Sequence, residues 1–104
     1  MNEMLKAYHE AMKKYELGYE KIRAYTEEDI KRELDSRAQT IAEIRAMGWS
    51  PRNEQRMVDK VTECSEELVK HYRQTAEETI SRARKNDSAL VARLLGIPDP
   101  LANS

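Results

Sequence analysis

The stretch Ala46-Met47-Gly48-Trp49-Ser50-Pro51-Arg52 decides the fold, because it is the one place between Met1 and Asn86 where the backbone chemistry requires a stop. Gly48 suits the position just past a helix end, where a left-handed residue is commonly needed. Ser50 is a good N-cap, and Pro51 fits the first helical position, where a missing N–H costs nothing. Long, charged, 3.6-periodic stretches flank this point on both sides. The expected fold is therefore all-α: a long helical hairpin with a helix over about 3–47, a turn at 48–50 and a helix over about 51–86.

Working outward toward the N-terminus, Leu5, Tyr8, Met12, Tyr15, Tyr19 and Ile22 recur at steps of three and four and predict one apolar stripe. The stripe then jumps to Ile30 and continues through Leu34, Ala38, Ile41 and Ile44 toward Met47. The jump has two readings. Thr26 followed by Glu27-Glu28-Asp29 resembles a capping box and could start a new helix. Without Gly or Pro nothing obliges a break, so a continuous or gently kinked helix is the expectation.

In the second arm Met57, Val58, Val61, Cys64 or Ser65, Leu68, Tyr72, Ala76, Ile80 and Ala83 form the corresponding stripe. Arg82, Arg84 and Lys85 favour a helix C-terminus there. Asn86-Asp87-Ser88 reads as a stop and a fresh cap, which predicts a separate short C-terminal helix over 88–95. Gly96 would end it, with Ile97 as a packing partner before Pro98. This organisation gives a single helical domain over 1–97 and a flexible tail over 98–104.

Composition narrows the function classes. The 104 residues are 39% hydrophobic and 36% charged with no Phe, closer to a long-helix or coiled-coil chain than to a globular average. Net charge is only −1, which argues against a protein whose main task is to coat nucleic acid or an anionic membrane. The local surplus is small and sits at two places: residues 37–60, with five basic against three acidic residues, and residues 81–104, with four against two. One cysteine, Cys64, excludes an intrachain disulfide, and its place in the stripe reads as a small buried apolar residue. The N-terminus has no basic region followed by an apolar run, and no stretch approaches the roughly 18 apolar residues of a membrane span. A cytoplasmic chain with no cofactor is expected.

Site chemistry is weak everywhere. Glu63, Glu66 and Glu67 with Glu27, Glu28 and Asp29 superficially resemble the acidic clusters of all-α nucleotide pyrophosphohydrolases, which would imply metal-dependent hydrolysis. The acids after Glu67 are Glu77 and Glu78, so the second Glu-x-x-Asp pair is missing and a solvated helix face is the expected reading. His71 stands four residues after Glu67, once, whereas di-iron bundles use a spacing of three on two helices. No nucleophile elbow or phosphate-cradling glycine loop occurs, and no catalytic or metal-ligating residue is assigned.

Three elements point instead to binding. Two narrow seams bury little surface, so Tyr8, Met12, Tyr15 and Tyr19 are expected to stay partly open and to be covered by association. A homodimer pairing two hairpins into a four-helix bundle would do this. At the turn, Arg45, Arg52, Arg56 and Lys60 flank Trp49; either the indole plugs the bundle end or it joins the cations in a contact surface. At the C-terminal end Leu90, Val91, Leu94, Leu95 and Ile97 form an apolar stripe with two readings: such a piece more often caps the open end of its own bundle, and otherwise docks in a partner's groove. The leading expectation is a non-enzymatic adaptor, inhibitor or regulator acting by protein–protein contact. The alternative is nucleic-acid binding through the tip and residues 82–93.

Overall fold

The computed structural model describes residues 2–102, so Met1, Asn103 and Ser104, which fall in the expected domain and tail, lie outside the described residues. Two helices of 45 residues make up almost all of it: α1 (Asn2–Ala46) and α2 (Pro51–Leu95), joined by the turn at 47–50. The chain is an all-α helical hairpin. Gly48 has φ +73°, the left-handed conformation its place in the sequence calls for. Ser50 caps α2 as expected: its Oγ accepts from the Asn53 N–H at 3.4 Å and its carbonyl from the Glu54 N–H at 2.9 Å. α1 runs through Thr26 without interruption.

Several expectations are corrected, the first at the end of α2. No separate helix begins at Ser88, because α2 continues through Asn86-Asp87-Ser88 to Leu95. Asn, Asp and Ser cost only about 0.5 kcal/mol each in a helix interior, which tertiary partners override. Here Asp87 and Ser88 spend their side chains on α1 and on the C-terminal turn rather than on capping. The true end of α2 has the Schellman pattern: the Gly96 N–H donates to Arg93 O at 3.2 Å and the Ile97 N–H to Ala92 O at 3.0 Å, with Gly96 at φ +69°.

By its internal contacts the chain divides into two compact units, residues up to Ala24 with those from Ala76 onward (unit 1) and Tyr25–Thr75 (unit 2). In unit 1, Tyr8, Met12 and Val91 form the buried cluster, with Ala11, Leu95 and Ile97 packed against it. Tyr19, Ala76, Ile80, Ser88 and Ala92 are also buried. Tyr8, Met12 and Tyr19 are therefore covered by their own chain, contrary to the expectation that they stay open, while Tyr15 remains exposed. On α2 the small, fully buried Ser88 lies against Tyr8.

In unit 2 the buried residues are Ile30, Ile44, Val58 and Ser65. At Ile30, Ile44 and Val58 the seam follows the apolar stripe, but at other positions it departs from it. Arg37 and Thr40 are half-buried, while Leu34, Met57 and Leu68 are exposed. Of the pair left open in the sequence, Ser65 faces inward, so Cys64 is exposed rather than buried. One residue is a rotation of about 100° on a helix, enough to carry a side chain from the seam to solvent. Ser65 Oγ and Arg37 Nη1 are shielded without a hydrogen-bond partner, which weakens this seam relative to an apolar one.

Candidate interaction surfaces

Unit 1 is built around a polar relay. The Ser88 hydroxyl donates to Asp99 Oδ1 at 2.5 Å, which consumes its single proton. The Tyr8 O–H, 2.5 Å from Ser88 Oγ, must then be the donor in that contact. Asp99 Oδ1 also accepts from the Leu101 N–H at 2.9 Å, so the segment after Pro98 is held against α2 through this carboxylate. Ser88 is completely buried, and its hydroxyl both donates and accepts in these bonds.

A second set lies three turns along α1. Tyr19 donates to Asp87 Oδ2 at 2.5 Å, while the Arg84 guanidinium sits 5.2 Å from the Tyr19 ring centroid. Arg84 also grips Glu16 through two bonds of 2.9 and 3.1 Å. Burial, and then the bond to Asp87, push the Tyr19 phenol well above its ordinary range, with Arg84 opposing. Arg23 bonds Glu77 at 2.9 and 3.3 Å and Glu20 at 3.1 Å, and the Arg23 hydrogen bond holds the Glu77 carboxyl below its usual value. These groups bind one another, which leaves the outer apolar side of unit 1 as its open feature.

That side is a groove of about 340 Å³ lined by Ala7, Ala11, Lys14, Tyr15, Val91, Leu94 and Leu95. Its floor is low because Ala7 and Ala11 occupy successive turns of α1. Leu94 stands 77% exposed at its wall; Leu90 at 45% and Met4 at 46% are exposed outside the lining. Leu90 and Leu94 lie one turn apart on α2, and Met4 lies one turn before Ala7 on α1. Of the sequence-derived contact residues, the fold thus brings Tyr15, Leu90, Leu94 and Leu95 to one side of unit 1. Tyr8, Met12 and Tyr19 are turned inward and offer a partner no surface. Met4, Ala7 and Ala11 were missed; the 4-7-11 spacing was readable, but alanines carry no apolar signal of their own.

Unit 2 carries a different surface at the turn. Trp49 is 44% exposed and lines a groove of about 660 Å³ with Ser50, Asn53, Arg56, Met57 and Lys60. Of the two readings of Trp49, the indole is open rather than plugged into the bundle end. Arg45 and Arg52 are exposed on the last turn of α1 and the first turn of α2. The acidic residues Glu63, Glu66, Glu67, Glu27, Glu28 and Asp29 are all exposed on helix faces, with Glu27 near Arg73 at 3.6 Å and Asp29 paired to Arg32. His71 and His9 are exposed, His9 edge-on to Tyr8 with ring centroids 5.3 Å apart. Among the described residues no group of three or more His, Cys, Asp or Glu is placed to hold a metal ion, and no helix is long and apolar enough to cross a membrane.

Compared with protein-family models, curated proteins and solved structures, the chain matches none.

Proposed function

We propose that the chain works by protein–protein contact rather than catalysis, as an adaptor, inhibitor or regulator of a larger assembly, and that it docks through the apolar side of unit 1. The observation that carries this reading is Leu94, 77% exposed beside an alanine-floored groove. Leu94 is not alone: Leu90 and Met4 are open as well, and a contiguous apolar patch of this kind marks an interaction site. A second copy of the chain is the occupant that fits best. One surface then offers both the protruding Leu90 and Leu94 and the low Ala7/Ala11 floor, the self-complementarity that a two-fold contact needs. Two hairpins joined this way would form the four-helix bundle expected from the sequence.

Burying one leucine of this exposure contributes up to about 2 kcal/mol, counted on both copies in a two-fold contact. Leu94→Glu should therefore weaken the dimer about 1000-fold. Sedimentation equilibrium tests this. The wild-type chain is expected at twice its 12.1 kDa mass, and Leu94→Glu at the single mass with an unchanged helical circular dichroism spectrum. A wild type that stays at 12.1 kDa into the submillimolar range overturns the two-fold reading. The adaptor reading requires further that proteins captured by the wild type are lost with the Leu90→Glu/Leu94→Glu chain. Identical capture by both chains would overturn docking through this side.

A further inference from the structure

The turn end of unit 2 joins features that the apolar docking reading does not use. Arg45, Arg52, Arg56 and Lys60 are exposed there, and among the described residues none of the four is in an ion pair. The basic residues Arg23, Arg32, Arg73 and Arg84, by contrast, each have a carboxylate partner. The acid best placed to neutralise the turn, Asp59, lies three residues from Arg56 and next to Lys60, yet its Oδ1 accepts from Gln55 Nε2 at 2.8 Å. Two of these free cations, Arg56 and Lys60, line the same groove as the half-open Trp49, with only neutral Ser50, Asn53 and Met57 beside them.

A cationic groove with an accessible indole face calls for an anionic ligand that also carries flat rings. We propose that this surface binds single-stranded nucleic acid, with Trp49 as the stacking platform for a base and Arg56 and Lys60 as phosphate contacts, extended by Arg52 and Arg45. A groove of about 660 Å³ accommodates a nucleobase together with its phosphate. An acidic peptide without aromatic residues would satisfy the cations but present nothing flat to Trp49, whereas every nucleotide joins an anion to a ring. A duplex keeps its bases stacked on one another and out of reach. Bases of any identity have a stacking face, so the contact is sequence-tolerant.

Trp49 is the one tryptophan in the chain, so its fluorescence reports the contact directly. The probes are oligothymidylate and oligouridylate of about 12 nucleotides, within the usual span of such grooves. A poly-glutamate peptide and a duplex of equal length serve as comparison arms. The single strands are expected to quench Trp49 and to bind with an affinity that falls about 20- to 50-fold between about 50 and about 200 mM salt, as three to four neutralised phosphates require. Arg56→Glu with Lys60→Glu should abolish binding. With a labelled strand read by anisotropy, Trp49→Ala should weaken it at least about fivefold and Trp49→Phe should restore most of it. All three residues are exposed, so these chains should keep the wild-type helical spectrum. No quenching at the lower salt overturns the proposal, as does equal quenching by poly-glutamate or by the duplex. Sedimentation of the Leu94→Glu chain is read independently, so failure of either surface leaves the other's test intact.

Discussion

Replacing Ser88 distinguishes a helix that passes through this position from one that begins there. Ser88 is fully buried and sits between a donating Tyr8 hydroxyl and an accepting Asp99 carboxylate, each at 2.5 Å. Ser88→Ala leaves the buried Tyr8 O–H without an acceptor, a loss of about 1–3 kcal/mol. The better helix propensity of Ala returns about 0.5 kcal/mol. The net cost is about 1–2 kcal/mol, which lowers Tm by about 5–10 °C for a chain of this size. Ser88→Gly suffers the same lost bond and adds about 1 kcal/mol for glycine inside a helix, so it must melt below Ser88→Ala. At an N-cap the order reverses, because glycine there costs only a few tenths of a kcal/mol and alanine about 1. The assay is thermal denaturation followed by circular dichroism at one fixed chain concentration. Tyr8→Phe should cost about 1 kcal/mol alone and add little on top of Ser88→Ala, a coupling of about 1 kcal/mol. A Gly variant more stable than the Ala variant, or zero coupling to Tyr8, would refute the continuous helix and its relay.

Two further outcomes follow from the same geometry. Tyr19 has its phenol pushed above the ordinary value of about 10, so its contribution is complete below that pH and is lost as pH rises beyond it; Tm should fall in the alkaline range, and Tyr19→Phe should flatten that fall. Gly18 lies inside α1 with open space around it, so Gly18→Ala should raise stability by about 0.5–1 kcal/mol, whereas Gly48→Ala at φ +73° should lower it by about 1 kcal/mol, both read by thermal melts.

What could be read from the sequence was local chemistry. Gly48, Ser50 and Pro51 act within four residues of one another, and the hairpin follows from them with no tertiary knowledge. Thr26 was readable for the same reason, since no neighbour forces a break. Asn86-Asp87-Ser88 was misread because its deciding partner, Tyr8, is 80 residues away, and a side chain satisfied across the seam has no need to cap. The tyrosine seam was legible as a stripe but not as a closed one, since its closure depends on Ser88 and Asp87 arriving opposite Tyr8 and Tyr19. In unit 2 the stripe reading holds at Ile30, Ile44, Val58 and, of the pair left open, Ser65, but it also included Leu34 and Leu68, which are exposed while Arg37 is half-buried. Hydrophobic periodicity fixes a helix face to within about one residue, and that margin separates seam from solvent. Leu90 and Leu94 were legible as apolar positions one turn apart on a helix; the alanine-floored groove beside Leu94 was not.

Docking through the apolar side of unit 1 is tested most directly by the two methionines Met4 and Met47, which are exposed to similar extents, one beside the Leu94 groove and the other at the turn. Peroxide converts accessible methionine to its sulfoxide, and mass spectrometry gives each rate separately. As the chain is concentrated from the micromolar to the submillimolar range, Met4 oxidation is expected to slow severalfold while Met47 oxidation holds constant. Rates for Met4 that do not change with concentration, or slowing at Met47 instead, would contradict the account.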